Sequence, residues 1–449
     1  MRGLRSTLVL FGVALGLGAY IYFVESERPP AGTPEPLETV FDFESDDLTR
    51  LSVTAENGDR TVLEKTADRW QLIEPFVGVV DVSEVVAMTS SLAAVEIQRV
   101  AAEPEDTPDL AAFGLAEPRV EVEVTTTAGA DARLLIGART LTGNDLYATV
   151  AGTNRVFLIS GYLDSTFNRT TFDLRNKTIL SFVRNDVDSL TIAGTDLTVS
   201  LRKDNDRWSL VSPIEAIADL GITDGLVGRL GTEQMAAIET EQGDELEPYG
   251  LDVPRLTVTI GLGGSAATLL IGDATPAGTV YAKDTSRNMV FTVSDSLVTE
   301  LEQGVDDFRR KNLFAFRPFN ATALELDRDG SRSTFERVEA PAEGGAAGWR
   351  RTAPDAGDIE PSAMDDILTK LSNLRVESFV ASRDRTGLDA PAATVSVTFG
   401  DDGEQEQVIV GQPGDEVFAV REDEPGAARL DTPAWNEVLE ALEALEALE

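Results

Sequence analysis

The sequence predicts an α+β protein: a single N-terminal transmembrane helix followed by three tandem α+β repeat units, each built as hairpin, helix, antiparallel strands and helix. Three observations predict this fold class. One composite signature occurs three times, about 140 residues apart, which is typical of tandem repeats. Apolar residues alternate after the middle part of each signature, as they do in half-buried strands. A long uncharged segment precedes all three copies.

The signature has three parts in a fixed order. A tryptophan is followed five residues later by a proline. About 40 residues further on, a Gly-Leu pair precedes another proline, and an apolar run ending in glycine follows about 20 residues later. The tryptophan, first proline and first glycine are Trp70, Pro75 and Gly114, then Trp208, Pro213 and Gly250, then Trp349, Pro354 and Gly387. We interpret these nine residues as structural repeat positions.

Residues 6–24 contain no charged side chain, with Arg2 and Arg5 before them and Glu25 and Glu27 after them. A helix of this length spans about 28 Å, close to the thickness of the hydrocarbon core of a bilayer. Because the basic residues lie on the N-terminal side, we expect the amino end in the cytoplasm and the rest of the chain outside it. A cleaved signal peptide is the alternative, but the length of the stretch favours an uncleaved signal anchor.

Gly12 and Gly16 lie four residues apart in this segment and therefore share one face of the predicted helix. Small residues at that spacing let a second helix approach closely, which makes the pair a candidate membrane helix contact. The alternative is that glycine is simply frequent in membrane segments.

The spacing of the signatures also predicts the organisation of the chain. We predict a cytoplasmic tip and transmembrane anchor over residues 1–27 and a proline-rich spacer over 28–39. Repeat units follow over 40–180, 181–315 and 316–449, the last with a helical C-terminal tail.

Strands and turns are indicated by period-two patterns and by Asx-Gly pairs. Asn57 and Gly58 in the first repeat, and Asp329 and Gly330 in the third, predict hairpin turns. The strand after each Gly-Leu pair buries alternate residues: Val120, Val122 and Val124; Leu256, Val258 and Ile260; Val395, Val397 and Phe399.

A helix is predicted between the proline and the Gly-Leu pair of each copy, because apolar residues recur there at helical spacing. These residues are Val85, Met88, Leu92 and Val95; Leu226 and Leu230; Met364, Ile367, Leu371 and Leu374. Core packing explains them without a cofactor. A last helix is predicted from Trp435 onwards, and its final turns are expected to fray because glutamates crowd the negative end of the helix dipole.

Two basic segments, residues 172–177 and 308–312, close the first two repeats. In an acidic chain they could dock an anionic partner or lipid. Their matched position in two repeats favours a shared structural role, such as pairing with carboxylates or with helix C-terminal carbonyls.

The composition excludes several classes of function. The chain has no cysteine and no histidine, which excludes disulfides, thiolate zinc sites, cysteine nucleophiles and a Ser-His-Asp triad. Its 38 Lys+Arg against 78 Asp+Glu give a net charge of −40, so nucleic-acid binding is not expected. The acidity reflects solubility or a salty habitat, or alternatively a cation-collecting role. We predict no enzyme activity, no catalytic residue, no cofactor and no metal.

One stretch matches the ligand spacing of a calcium loop: Glu325, Asp327, Asp329, Gly330 and Glu336. The equivalent stretch of the first repeat is a predicted hairpin, whereas a calcium-binding EF-hand requires flanking helices. The sequence therefore argues against calcium here.

The ordered combination of N-terminal anchor, Trp-x-Leu-x-x-Pro, Phe/Tyr-Gly-Leu-x-x-Pro and Leu-Leu-Ile-Gly resembles the DUF4340 family. The motifs begin at Trp70, Phe113 and Tyr249 and at Leu134 and Leu269. The third repeat departs from the pattern, because Arg350 follows its tryptophan and Thr386 replaces the aromatic residue. This repeat could be a degenerate cap.

The resemblance implies an exported accessory subunit of gliding-motility-type ABC transporters, whose partners are permease or substrate-binding-like membrane subunits. It implies no catalytic residues. The expectation is a single-pass protein of the bacterial inner membrane, with the bulk of the chain in the periplasm. The alternative is a free-standing envelope ligand-binding or scaffolding protein that is independent of a transporter.

Overall fold

A computed structural model describes residues 37–328, 330–338, 348–422 and 424–446. The chain divides into two compact units, Met1–Asn176 and Lys177–Glu449. Gly12, Gly16 and the rest of the predicted anchor lie outside the described residues. Within the described ranges, no helix is long and apolar enough to cross a membrane.

The first unit contains one nine-stranded sheet, in the order β4-β3-β2-β1-β6-β7-β8-β9-β5. Its strands are β1 Leu48–Thr54, β2 Arg60–Thr66, β3 Arg69–Glu74, β4 Gly78–Val79, β5 Arg99–Ala102, β6 Val120–Thr126, β7 Asp131–Arg139, β8 Asp145–Val150 and β9 Val156–Ser160. Its helices are α1 Val82–Ala93, α2 Leu163–Phe167 and α3 Thr171–Leu174. Asn57 and Gly58 form the predicted turn between β1 and β2.

The second unit contains two more nine-stranded sheets. The strands of the first are β10 Ser189–Gly194, β11 Thr198–Asp204, β12 Arg207–Ser212, β13 Ala216–Ile217, β14 Ala237–Thr240, β15 Leu256–Leu262, β16 Ser265–Ala274, β17 Thr279–Asp284 and β18 Val290–Ser294. Its helices are α4 Leu220–Thr232, α5 Asp295–Leu301 and α6 Val305–Phe308. Their order across the sheet is β13-β12-β11-β10-β15-β16-β17-β18-β14.

The other sheet of the second unit has the order β22-β21-β20-β19-β24-β25-β26-β27-β23. Its strands are β19 Ala321–Arg328, β20 Ser331–Val338, β21 Gly348–Ala353, β22 Gly357–Ile359, β23 Val376–Val380, β24 Ala393–Phe399, β25 Glu404–Gly411, β26 Val417–Arg421 and β27 Ala427–Leu430. Its helices are α7 Pro361–Asn373 and α8 Thr432–Glu446. All three sheets are antiparallel and follow one topology, which confirms the predicted α+β class.

Each core lies between one face of a sheet and the helix that crosses it. The predicted apolar stripes are confirmed: α1 buries Val85, Met88 and Leu92, and α7 buries Met364 and Ile367. The alternating strands also behave as predicted, since the even positions of β6 from 120 to 126 are buried and the odd positions are half-buried. Hydrophobic burial at the observed periodicities therefore sets both the strand faces and the helix faces.

Two parts of the repeated signature meet in space, although about 20 residues separate them. Gly114 ends a short 3-10 turn at a φ of +68°, a conformation that a residue with a Cβ rarely adopts. The carbonyl of Phe113, just before it, lies against Gly137 at the end of the apolar run, where a Cβ would overlap it. The backbone carbonyl of Tyr249 lies against Gly272 in the same way, and that of Thr386 lies against Gly411.

The tryptophan–proline part of the signature lies on the third strand of each sheet. Trp208 and Trp349 are buried, and Trp70 is partly buried against the core of its unit. The indole Nε1 of Trp208 donates to Asp224 Oδ1 of α4 at 2.7 Å, which ties the strand to the helix. Pro75, Pro213 and Pro354 all follow a cis peptide bond.

The C-terminal helix α8 differs from the expectation of fraying turns. Leu442 and Leu445 are fully buried in the core of the third sheet, together with Trp435. They pack beside α7, a partner that the one-dimensional pattern does not show. The helix is regular as far as Glu446, so the expected loose tail is wrong for the described part of α8.

We predict that Gly272→Ala lowers the free energy of unfolding by about 1–3 kcal/mol, because its Cβ would force apart two backbone segments. Gly225→Ala is the matched control. It lies exposed on α4 with open space around it, and it should stabilise the protein by about 0.5–1 kcal/mol. Denaturant midpoints of the full chain in detergent measure both effects; equal effects would contradict the close contact.

Candidate functional site

The segment between the two sheets of the second unit is a strand-like connection that is paired on both sides. We call residues 308–313 the linker segment. On one side Asp219 N donates to Phe308 O at 2.7 Å, and Arg310 N donates to Ile217 O at 3.0 Å. On the other side Val376 N donates to Lys311 O (2.7 Å), and Leu313 N donates to Leu374 O (2.9 Å). The segment therefore joins edge strand β13 to the chain just before β23.

The same pairings recur elsewhere in each unit. At the end of the first unit, Asp81 N donates to Leu174 O at 2.9 Å and Asn176 N to Val79 O at 2.8 Å. The pairing on the other side of the linker segment also recurs at the start of the second unit, where Met235 N donates to Lys177 O at 2.7 Å, as Val376 N does to Lys311 O. The basic segments thus occupy equivalent sheet edges, which supports the structural interpretation of residues 172–177 and 308–312.

A buried cluster of charges surrounds the linker segment. We call it the junction cluster: Arg309, Arg310, Arg421, Glu406 and Glu424. Glu424 receives Arg309 Nη2 at 3.3 Å and Arg421 Nη1 at 2.7 Å, and the three side chains are only 6–8% exposed. Arg310 Nη2 lies 2.7 Å from Glu406 Oε1. The cluster connects the linker segment to strands β25 and β26.

The cluster holds three cations and two carboxylates, and backbone groups offset the difference. Arg421 donates to the carbonyl oxygens of Arg310, Asn312 and Leu313 at 2.8, 2.8 and 2.9 Å. The Arg309 guanidinium also lies over the Phe379 ring, 3.5 Å from its centroid. Buried charges need such partners, because desolvation otherwise costs several kcal/mol.

Burial lowers the pKa of Arg421, and the neighbouring Arg310 lowers it further, while Glu424 opposes both effects. An arginine stays protonated in such surroundings because its guanidinium is a very strong base. Glu424 also accepts from Ile217 N at 3.3 Å, and Glu406 accepts from Ala315 N at 2.6 Å. The cluster therefore acts as a fixed set of charge-assisted hydrogen bonds that hold two repeats together.

In each repeat, one arginine at or near the connection between the last two strands in chain order bonds to the segment that leads into that repeat. Arg155 pairs with both carboxylate oxygens of Glu38, at 2.7 and 3.0 Å. Arg287 donates to the carbonyls of Thr178, at 2.9 Å, and of Ile179. Arg421 has this role in the third repeat. The sequence reasoning missed these residues, because they lie at different distances from the glycine of the apolar run: 18 residues for Arg155, 15 for Arg287 and 10 for Arg421.

The sheet face turned away from the helix differs among the repeats. We compare one cross-strand row of five residues, at the same register in each sheet. In the second repeat the row is entirely hydroxyl-bearing: Ser212, Ser200, Thr191, Thr259 and Thr268. In the first it is Glu74, Val62, Ser52, Glu123 and Arg133. In the third it is Ala353, Thr334, Glu325, Ser396 and Gln407. One frame thus carries three different surfaces.

A cavity of about 490 Å³ lies at the sheet of the first unit, beside Arg50, Arg60 and Arg133. Each of these arginines is paired: Arg50 with Glu64, Arg60 with Glu74 at 2.8 Å, and Arg133 with both Glu121 and Glu123. The charges of the cavity are therefore largely balanced, which suits a polar neutral ligand better than an anion.

No group of three or more acidic side chains that could hold a metal ion occurs among the residues whose structure is described. Glu325, Asp327 and Glu336 lie on the β19–β20 hairpin, in agreement with the argument against a calcium loop. Asp329 is outside the described residues. The signature residues Gly114, Gly250 and Gly387 lie at turns that support the frame.

A comparison with protein-family models matches residues 70–209 and 208–391 to a domain of unknown function, DUF4340. Each match begins at a signature tryptophan; the first ends in the tryptophan strand of the second repeat, and the second continues past helix α7 of the third repeat. No curated protein matches the chain significantly.

We predict that Glu424→Ala loosens the contact between the second and third repeats by about 3–5 kcal/mol, because two buried arginines lose their carboxylate. Glu404→Ala is the matched control. It removes the exposed pair with Arg207, between the same two repeats, and should cost at most about 1 kcal/mol.

Native-state proteolysis of the linker segment measures this effect, because cleavage there requires local opening. Glu424→Ala should be cut much faster than the wild type, and Glu404→Ala at nearly the wild-type rate. Equal cleavage of the two variants would show that the junction cluster does not hold the repeats.

Proposed function

The chain belongs to the DUF4340 family, and we propose that it is a non-catalytic, membrane-anchored scaffold that serves as an accessory subunit of an envelope ABC-type transporter complex. The observation that carries this proposal is one frame built three times with three different rows of side chains on the sheet face turned away from the core. A scaffold needs a constant frame to place its surfaces and variable surfaces to meet different partners. A single catalytic centre requires neither.

The junction cluster supports the scaffold role. Its five charges, three of them buried, and the doubly paired linker segment fix the second repeat against the third within one compact unit. Fixed spacing between binding surfaces keeps the entropic cost of meeting a partner low. Strong hydrogen bonds are thus placed between repeats, where a scaffold requires them.

The membrane anchor is proposed from the sequence. Residues 6–24 are long enough for one crossing, and Arg2 and Arg5 favour a cytoplasmic amino end. Both compact units would then lie on the periplasmic side of the bacterial inner membrane. Gly12 and Gly16 offer a face for a neighbouring transmembrane helix.

The transporter association rests on the family resemblance. It implies permease or substrate-binding-like membrane subunits as partners, and the anchor is where such subunits are accessible. The second candidate is a free-standing envelope ligand-binding protein. The cavity of about 490 Å³ in the first unit favours this alternative, because its polar lining could hold a small neutral ligand.

We predict that photo-crosslinkers at Gly12 and Gly16 capture a membrane subunit of a transporter in native membranes. Crosslinkers at Leu10 and Ala14 are the matched control, because those residues point to the opposite side of a helix. Detergent pull-downs should recover the same subunit. Capture of lipid alone at all four positions, with no transporter subunit in the pull-down, would leave the free-standing alternative.

A further inference from the structure

We propose that the outer edge of the third sheet, strand β22, is a docking site for an extended basic segment of a partner polypeptide. The inference rests on the proposed function, because it names the surface by which the scaffold holds a partner. The chain itself shows the mode of binding, since the equivalent edges of its first two sheets are each occupied by a basic segment.

The three edges can be compared position by position, because no insertion separates them from the signature tryptophan. Nine residues after the tryptophan lie Val79, Ile217 and Asp358, on edge strands β4, β13 and β22. In the first two sheets the carbonyl of this residue accepts a backbone N–H of a basic segment, at 2.8 Å for Val79 and 3.0 Å for Ile217.

The residue two positions further on completes the pairing. Asp81 N and Asp219 N each donate to a backbone carbonyl of the same segment, at 2.9 and 2.7 Å. The isolated bridges Val80–Arg175 and Ala218–Arg309 show that the segments run antiparallel to the edges. An incoming strand at β22 would therefore meet Asp358 and Glu360 in the same way.

The third edge has these groups, but no segment among residues 37–446 that the structure describes pairs with it. Strand β22 pairs only with β21, through Trp349–Ile359 and its neighbours. Across the described parts of the chain, no backbone or side-chain group bonds to the outward carbonyl of Asp358 or to Glu360 N. Where the first two repeats have two short helices and then a basic segment, the third has the single helix α8. Unpaired edges of this kind accept added strands.

The side chains at this edge define the chemistry of the partner. In the first sheet Arg175 lies over the Phe76 ring, 4.6 Å from its centroid. The position equivalent to Phe76 is Asp355 in the third repeat, so a basic residue arriving there meets a carboxylate. Asp358 pairs with Arg350 Nε at 3.1 Å, but its side chain is still 85% exposed, and Glu360 also lies exposed on this edge. A basic strand is therefore complementary in both backbone and charge.

A second copy of this chain is a poorer occupant. Its own basic segments are held by the edges of its own sheets, and Arg309 is buried against Glu424. Release of either segment would break the buried contacts described above. The partner is therefore a different polypeptide with an exposed basic stretch of strand-forming residues.

The test uses the full chain in detergent and a labelled synthetic peptide with the sequence of residues 308–314, FRRKNLF. Fluorescence anisotropy should show saturable binding that weakens with added salt. Glu360→Pro should weaken binding about tenfold, because it removes the N–H that would donate to the incoming strand, at a residue whose φ of −61° proline also adopts. Glu360→Gln removes the same charge but keeps the N–H, and it should bind more tightly than the proline variant. Far-UV circular dichroism and the thermal midpoint check that both variants remain folded.

The charge contribution is tested separately. The double variant Asp355→Asn/Asp358→Asn should also bind about tenfold more weakly. Asp401→Asn/Asp402→Asn makes the same charge change on an exposed turn and should bind like the wild type. No binding, or equal binding by all variants, would overturn the proposal and leave the acidic edge as a guard against aggregation. Transporter capture without peptide binding would refute the docking edge alone.

Discussion

The structure depends on a backbone constraint: an exposed sheet edge must find partners for its N–H and C=O groups. Two nine-stranded sheets meet this constraint by pairing their short outer strand with the segment that leaves the repeat. In the second unit the same segment pairs on its other side with the chain after Leu374. Within the second unit, the connection between its two repeats is therefore part of the hydrogen-bonded structure and joins the two sheets of that unit.

The positions of the arginines also depend on backbone groups that need hydrogen-bond partners. In a chain with twice as many acidic as basic residues, arginines gather where backbone carbonyls converge. Arg287 and Arg421 each donate to carbonyls of the segment that leads into their repeat. Since a buried guanidinium needs several acceptors, these positions specify one register of the connection. Apart from a few buried carboxylates such as Glu424, the acidic residues that the structure describes are exposed or half-buried, and the three repeats differ in them.

Much of the fold could be predicted from the sequence because its causes are local. Alternation in β6 and the stripe on α1 report burial directly, and the Asn57–Gly58 turn has a local conformational preference. The contact between Gly114 and Gly137 could not be predicted, because it joins a 3-10 turn to strand β7 across about 20 residues that the one-dimensional pattern does not fold. The burial of Leu442 depends likewise on α7, about 70 residues earlier.

The interaction surfaces were harder to predict than the frame. We interpret the nine signature positions as structural, and they do not indicate which face or edge meets a partner. The hydroxyl row of the second repeat and the acidic edge of the third appear only when strand register aligns residues such as Thr191, Thr259 and Asp358. Positions that are equivalent in the fold but carry chemically different side chains in the three repeats cannot all be structural. Such differences therefore indicate where function lies.

Native-state hydrogen exchange of the full chain tests the central claim most directly, because it reports on individual backbone amides. Three amides form the hydrogen bonds along the two sides of the linker segment: Arg310, Leu313 and Val376. They should exchange as slowly as the amides in the middle of β15. Exchange of these three amides at the rate of an exposed loop would contradict the account, because the repeats would then be joined by a flexible tether.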